Sequence, residues 1–363
     1  MCYCGEKVIR GTQNMFKTNK LIKLLCLTLI LSLCLSCQSK KEEKVNIAES
    51  PTKTLEYATF SNENVSFKYP KGWKVELNET TNYGIRVYDP DNEMYGFYSF
   101  FAIGAMNKSQ QAKDFYQNYS YVWSNGFEKF PVLNPISVTN FYKLWTAITA
   151  NMKSTNDSGY GSFNFPYFYN FSEVETYSYQ SLIGASAPSQ VTEEIVRATF
   201  TDSQEQNIGE GLFSASIINL KPSDDYFPLT SYNDMGITAP EFDLVNWESI
   251  LLDCVNSIKF TDSYVNTTNA VLQSQGESIL DRNNEISQAF SAYSSAWSNR
   301  QDTYDTARQK YSDATLGYER VYDTTTNEVY KAYNGFLEEY KGSRYQAVTD
   351  PMYNEAVSGY IEK

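Results

Sequence analysis

Apolar and polar positions alternate through much of the chain. Val65, Phe67 and Tyr69 fall on one side of an extended segment, and Trp73, Val75 and Leu77 resume the pattern after Pro70-Lys71-Gly72. A period of two is that of a half-buried strand, so two strands hinged at this turn are expected. Gly84–Asp89 and Tyr95–Ile103 predict two more around the polar turn Asp89–Glu93, and Glu194–Thr201 with Gly211–Leu220 predict a later hairpin. Elsewhere the period is that of a helix: Phe115, Tyr119, Val122 and Trp123 within 109–126, and Trp247, Ile250, Leu251, Cys254 and Ile258 within 244–258.

After residue 262 the pattern changes again. Leu272, Ile279, Ile286 and Tyr293 recur every seven residues, and Phe290, Trp297, Tyr304 and Tyr311 form a second such series. Heptad spacing predicts a long helical segment over 263–320, one helix or a helical pair, with an apolar seam. So many aromatic seam residues are too bulky for a tight two-stranded coil. The seam is therefore expected to pack on its own chain, and the soluble part to be a monomer. At 316–331 the period returns to two around the polar turn Asp323–Asn327, which predicts a β-hairpin. That segment and Tyr353–Lys363 resemble a tail module of other exported bacterial lipoproteins.

The beginning of the chain carries an address. Lys17, Lys20 and Lys23 precede an apolar run from Leu24 to Leu35, followed by Cys37 and the charged stretch Gln38–Lys44. The run is shorter than the roughly 20 apolar residues a spanning helix needs, and its layout is that of a secretory signal. Cys34-Leu35-Ser36-Cys37 resembles the bacterial lipobox, with Ser36 and Cys37 matching it and Cys34 and Leu35 departing from it. The resemblance implies cleavage before Cys37 and lipid attachment, including palmitate, at that residue. Translation is expected to start at Met15. Residues 38–56 lack periodicity and are expected to be a flexible tether.

A second resemblance lies in the first strands. Val65, Phe67, Tyr69, Pro70, Trp73 and Val75 match the opening hairpin of the PsbP/Mog1-like family, and the helix at 244–258 leading into Lys259-Phe260 matches its close. The resemblance covers 57–262, with 150–190 as an insertion. It implies an α+β fold, an antiparallel sheet packed by helices, with Trp73 buried against the first hairpin. The family mostly hosts binding and assembly roles, so the resemblance implies little chemistry of its own. The expected organisation is a signal at 1–37, a tether at 38–56, the α+β domain at 57–262, and a helical segment plus hairpin tail at 263–363.

Charge and composition narrow the function. Five of the 30 Lys and Arg and one of the 43 Asp and Glu precede residue 38, so the remainder holds 25 against 42, a net charge of −17. So acidic a chain is unsuited to nucleic acid, whose binding rests on cationic contacts to phosphates. An anionic bilayer would repel it, so a lipid would have to do the anchoring. There is no histidine, which removes Ser-His and Cys-His catalysis and His-ligated metals. Of six cysteines only Cys37 and Cys254 remain beyond residue 36, and Cys254 sits on an apolar helical face as a core thiol.

Candidate chemistry is sparse. Asp89-Pro-Asp91-Asn-Glu93 has carboxylates at alternate positions, but Met94 and Phe100 stand where a calcium loop needs Gly and an acid, so a turn is expected. Ser50-Pro-Thr-Lys53 is a Ser-x-x-Lys spacing inside the presumed tether, where nothing would desolvate the lysine. Gly159-Tyr-Gly161 lacks the third glycine of a nucleotide fingerprint. The most unusual stretch is Tyr160–Phe171, followed by Tyr177 and Tyr179. Its aromatic faces suit either core packing or saccharide stacking.

No catalytic, cofactor or metal residue is singled out; the one site residue is Cys37. The expected protein is lipid-anchored on the extracytoplasmic side of the cell membrane and has a non-catalytic binding or assembly role. Its expected partners are the membrane, through that anchor, and an envelope protein or saccharide. The alternative is an envelope hydrolase acting on carbohydrate through paired carboxylates. Cys37→Ser should leave the precursor uncleaved and unlabelled by fatty-acid probes, whereas Cys34→Ala should be processed normally, as gel mobility and metabolic labelling would read directly.

Overall fold

The computed structural model describes residues 45–80, 82–119, 126–154, 160–178, 180, 190–241, 243–267, 288, 291 and 302–363. The fold is α+β and dominated by antiparallel sheets. Its centre is a seven-stranded antiparallel sheet in the order β4-β5-β6-β10-β9-β8-β7. These strands are β4 Lys74–Asn78, β5 Gly84–Tyr88, β6 Gly96–Met106, β7 Tyr169–Ser178, β8 Gln190–Thr201, β9 Ile208–Asn219 and β10 Leu229–Pro240. The strands at 84–88 and 96–106 and the hairpin β8–β9 lie where the alternation placed them.

Both faces of this sheet are covered. On one face Val87, Phe97, Leu212 and Ile237 pack against α4 (Leu244–Asn256) and a small sheet of β2 (Tyr57–Ser61), β3 (Val65–Pro70) and β11 (Lys259–Phe260). On the other, Tyr98, Phe100, Phe213 and Phe200 meet α2 (Val138–Lys143), α3 (Trp145–Ser154) and the irregular segment 160–168. Helix α1 (Gln110–Asn118) begins at Ser109, whose side chain accepts from Ala112 N, a standard N-cap. It buries Ala112 and Tyr116, whereas Tyr119, assigned to the apolar face by spacing, is exposed. Val122 and Trp123 lie outside the described residues.

The first expected hairpin is not one. Strand β3 pairs with β2 and β11, while β4 pairs with β5 in the large sheet. The reason is local: Pro70 has no N–H to continue a ladder, and Gly72 takes φ +92°, so the chain turns a corner between sheets. Trp73 is half-buried rather than enclosed, and its ring stacks on Trp247 at 5.4 Å.

The C-terminal residues build a separate five-stranded sheet, β1-β15-β13-β12-β14, from β1 Asn46–Glu49, β12 Tyr318–Asp323, β13 Glu328–Tyr333, β14 Tyr345–Ala347 and β15 Val357–Glu362. Strand β1 lies within the stretch expected to be a flexible tether. It pairs with β15 from Asn46↔Glu362 to Glu49↔Gly359, so residues 46–49 are sheet and not tether. The hairpin β12–β13 forms as expected around Asp323–Asn327.

The long helical segment is not borne out. Among the described residues its C-terminal part is α5, Asp302–Thr315, which stops at Gly317 with φ +79°. Tyr311 of the proposed seam is 74 % exposed, and the buried side chains of α5 include Thr306, Gln309 and Asp313. The cause is polar pairing. Asp313 Oδ2 accepts from Arg320 Nε at 2.7 Å, Asp313 Oδ1 lies 3.1 Å from Lys331 Nζ, and Gln309 Oε1 accepts from Arg320 Nη2. The seam positions from Leu272 to Trp297 lie outside the described residues.

A second buried carboxyl has no cation. Asp234 sits at the irregularity between Tyr232 and Met235 of β10, fully buried, with Ser231 Oγ donating to its Oδ2 at 3.0 Å. Burial raises its pKa well above the ordinary value, and the Ser231 hydroxyl offsets only part of this. The folded state therefore keeps a proton that the unfolded chain releases near pH 4, and stability at this residue falls as pH rises above that point. Asp234→Asn should raise the melting temperature, by more at pH 7.5 than at pH 4.5. Asp313→Ala leaves Arg320 and Lys331 buried without their carboxylate and should cost about 3–5 kcal/mol, read by denaturant unfolding.

Candidate functional site

A polar cleft of about 330 Å³ opens at the end of the large sheet where β5 turns into β6. Its floor is Arg86 of β5, a guanidinium with 4 % of its side chain exposed. Arg86 Nη1 donates to Asn164 O at 2.9 Å, Nη2 to Glu93 Oε2 at 2.7 Å, and the group lies 4.1 Å from the centre of the Tyr88 ring. Arginine suits this place because its planar fork satisfies several acceptors at once while stacking on an aromatic face.

Arg86 is one of several pins on segment 160–168. Asn164 N donates to Glu76 Oε2 at 2.9 Å, Trp145 Nε1 to Pro166 O at 2.9 Å, and Tyr160 Oη to Asn82 O at 2.9 Å. Burial pushes the Glu76 carboxyl up, but hydrogen bonds from Lys74, Asn164 N and Tyr88 outweigh it and hold the pKa below the usual value. With its backbone fixed, the segment divides its aromatic rings. Tyr160, Phe163, Phe165, Phe168 and Phe171 enter the core, whereas Tyr167 is 38 % exposed on the cleft wall. Its ring lies parallel to that of Tyr169, 6.1 Å apart at 5°. Core packing thus accounts for most of this stretch. Tyr179 lies outside the described residues.

Asp91, Asn92, Glu93 and Asn164 line one part of the cleft, and Asp202, Ser203 and Gln204 another. The 89–93 stretch is the expected turn: Asp89 Oδ1 accepts from Asp91 N at 2.9 Å, and Asn92 Oδ1 from Met94 N at 3.2 Å. Asp202 accepts from Gln206 N, Asn207 Nδ2 and Gln204 N, and these bonds hold its carboxyl below the usual range. General acid catalysis needs a carboxyl held protonated near neutrality. Asp202 is instead held below its usual range by those bonds. The strongly raised carboxyl, Asp234, lies in the core and does not line the cleft.

A second concavity, about 570 Å³, lies at the other end of β6 and β10. Its walls include Phe115, Phe127, Tyr226 and Phe227, with the Lys221 Nζ 4.5 Å from the Phe227 ring centre. Tyr116 Oη donates to Tyr226 O at 2.6 Å and fixes this turn against α1. The spacing analysis had Phe115 and Tyr119 on a packing face. It missed the groove because Tyr226 comes from a distant loop, and only its neighbours Phe227-Pro228 hinted at an aromatic turn.

The remaining sequence candidates separate cleanly. Cys254 is buried in the core, and burial pushes its thiol up to about 12, as a packed, unreactive cysteine requires. Ser50 is buried with its hydroxyl 2.9 Å from Thr52 Oγ1. Cys37, Cys34 and Met15 lie outside the described residues. Among the described residues no group of three or more His, Cys, Asp or Glu could hold a metal, and no helix is long and apolar enough to cross a membrane.

No family model matches the chain, and no curated protein matches it. Among solved structures it is similar to the solution structure of cyanobacterial PsbP (CyanoP) from Synechocystis sp. PCC 6803, at 13 % identity and a TM-score of 0.24, covering 61 % of this chain and 99 % of that one.

Proposed function

We propose that this protein is a lipid-anchored, extracytoplasmic binding protein that takes a saccharide in the cleft at Arg86. The anchoring part rests on the Lys17–Cys37 pattern, and the assignment of residues 57–262 to the PsbP/Mog1-like plan rests on the residues quoted for it above. The observation that carries the ligand is Tyr167. An aromatic ring standing on the cleft wall, parallel to the ring of Tyr169, offers a flat face to the C–H side of a sugar ring. Carboxylates and amides of Asp91, Asn92, Asn164 and Gln204 line the same space and can take up hydroxyl groups.

The reading is non-catalytic because of charge state. Hydrolysis of a glycosidic bond calls for one protonated and one ionised carboxyl across the bond. Asp202, held below the usual range by its hydrogen bonds, suits accepting a sugar hydroxyl over delivering a proton.

Screening the soluble chain on an array of defined oligosaccharides, followed by calorimetry with the best hit, tests the proposal. Tyr167→Ala should weaken binding by about tenfold or more, equivalent to at least 1.4 kcal/mol, with an unchanged melting temperature. Tyr226→Ala, in the other concavity, should bind normally. A chain that binds no glycan on the array, or binds as well without Tyr167, would refute the saccharide reading.

A further inference from the structure

The cleft at Arg86 carries a charge imbalance that narrows which saccharide it would take. One cation and three carboxylates line it: Arg86 against Asp91, Glu93 and Asp202. The cation is spent inside the protein. Only 4 % of the Arg86 side chain is exposed, with Nη1 donating to Asn164 O at 2.9 Å and Nη2 to Glu93 Oε2 at 2.7 Å. A guanidinium so buried, with its charge matched by Glu93, has little to offer an anionic group on a ligand.

The other two carboxylates belong to separate loops. Asp91 is exposed in the turn between β5 and β6, and the turn uses its N–H, donated to Asp89 Oδ1, rather than its carboxylate. Asp202 is half-buried just after β8, where Gln206 N, Gln204 N and Asn207 Nδ2 all donate to it. Such bonds favour the charged carboxylate. Among the described residues neither Asp91 nor Asp202 has a Lys or Arg at ion-pair distance. Two negative charges from different loops therefore border one concave space without a cation of the chain to neutralise them. A cleft concentrates such a field more than a flat surface does.

Hydrogen bonding and the aromatic wall point the same way. An ionised carboxylate only accepts, so this lining calls for a ligand rich in donors. The hydroxyl groups of a neutral sugar meet that need in part. An ammonium group adds three donors and a positive charge, and the exposed face of Tyr167 attracts a cation as well as C–H groups. A sugar acid would instead bring a further negative charge against Asp91 and Asp202.

We propose that the cleft selects a saccharide with a free ammonium group, an amino sugar, over neutral and acidic saccharides, and that Asp91 and Asp202 set this preference. This rests on the saccharide reading above and adds the charge of the ligand to it.

The test is calorimetry on the full chain, solubilised in detergent, with three probes: the β-1,4-linked tetramer of glucosamine, its N-acetylated counterpart, and a tetramer of galacturonic acid. A pH of about 6 lies above ordinary carboxylate pKa values and below that of an α-amino group. The glucosamine probe should bind about fivefold or more tighter than the N-acetylated one, with galacturonic acid weakest. The preference should shrink as salt is raised toward about 1 M. Asp91→Asn should reduce it at least about twofold with an unchanged melting temperature, and Asp91→Asn with Asp202→Asn should remove it. If the double variant does not fold, Asp91→Asn and the salt series decide. Tyr167→Ala should weaken binding of the glucosamine probe, which separates the cleft from a general attraction to an acidic chain. A glucosamine probe that fails to bind, binds no tighter than its N-acetylated counterpart or binds equally well without Tyr167 would overturn the inference. So would tightest binding of galacturonic acid, or a preference indifferent to salt and to Asp91→Asn. In each of these cases a neutral glycan held through Tyr167 would leave the saccharide reading standing, so the two fail separately.

Discussion

Both faces of the seven-stranded sheet have to be kept from water, and among the described residues short helices are available to cover them. On the α4 side the helix and a three-stranded sheet suffice. On the other side α2 and α3 are 6 and 10 residues long, and irregular backbone at 160–168 covers the rest of the face. Backbone placed in a core must find partners for its N–H and C=O groups. Arg86, Glu76 and Trp145 supply them at Asn164 and Pro166. The density of aromatic residues follows from the same need, because large flat rings fill space that regular helices would have filled.

The cleft is a by-product of that solution. Arg86 is buried in order to hold Asn164 and Phe165, and its remaining donor reaches Glu93 at the rim. The same pinning turns Tyr167 outward while its neighbours Pro166 and Phe168 are buried. The surface proposed to bind saccharide is thus mounted on a hydrogen-bonded frame, and such preorganisation lowers the ordering cost of binding.

The C-terminal sheet follows a different rule. Its helix α5 is held in part by the Asp313 carboxylate, shared between Arg320 and Lys331, all largely buried. Such a cluster contributes little net stability against an apolar equivalent but costs much when one member is removed. Strand β1 completes this sheet from the other end of the described chain, so the last strand pair can form only after a loop of about 300 residues is closed. The entropic cost of that closure grows only slowly with length.

The sequence by itself determined the strands whose two-residue period is unbroken, the closing helix α4, the hairpin β12–β13, and the inert setting of Cys254. Each depends on local periodicity, which neighbouring residues set. The proposed address at Lys17–Cys37 is likewise a linear pattern, legible in the sequence alone. Only the tertiary structure decided which strands share a sheet. Alternation is the same whether β3 pairs with β4 or with β2, and the corner at Pro70–Gly72 chooses. Heptad spacing could not reveal that α5 buries Asp313 and Gln309 rather than Tyr311, because the cations that demand them come from β12 and β13. The cleft was equally hidden: Tyr167 differs from its buried neighbours in nothing local, and is exposed because distant residues, Arg86 and Trp145 among them, fix the backbone beside it.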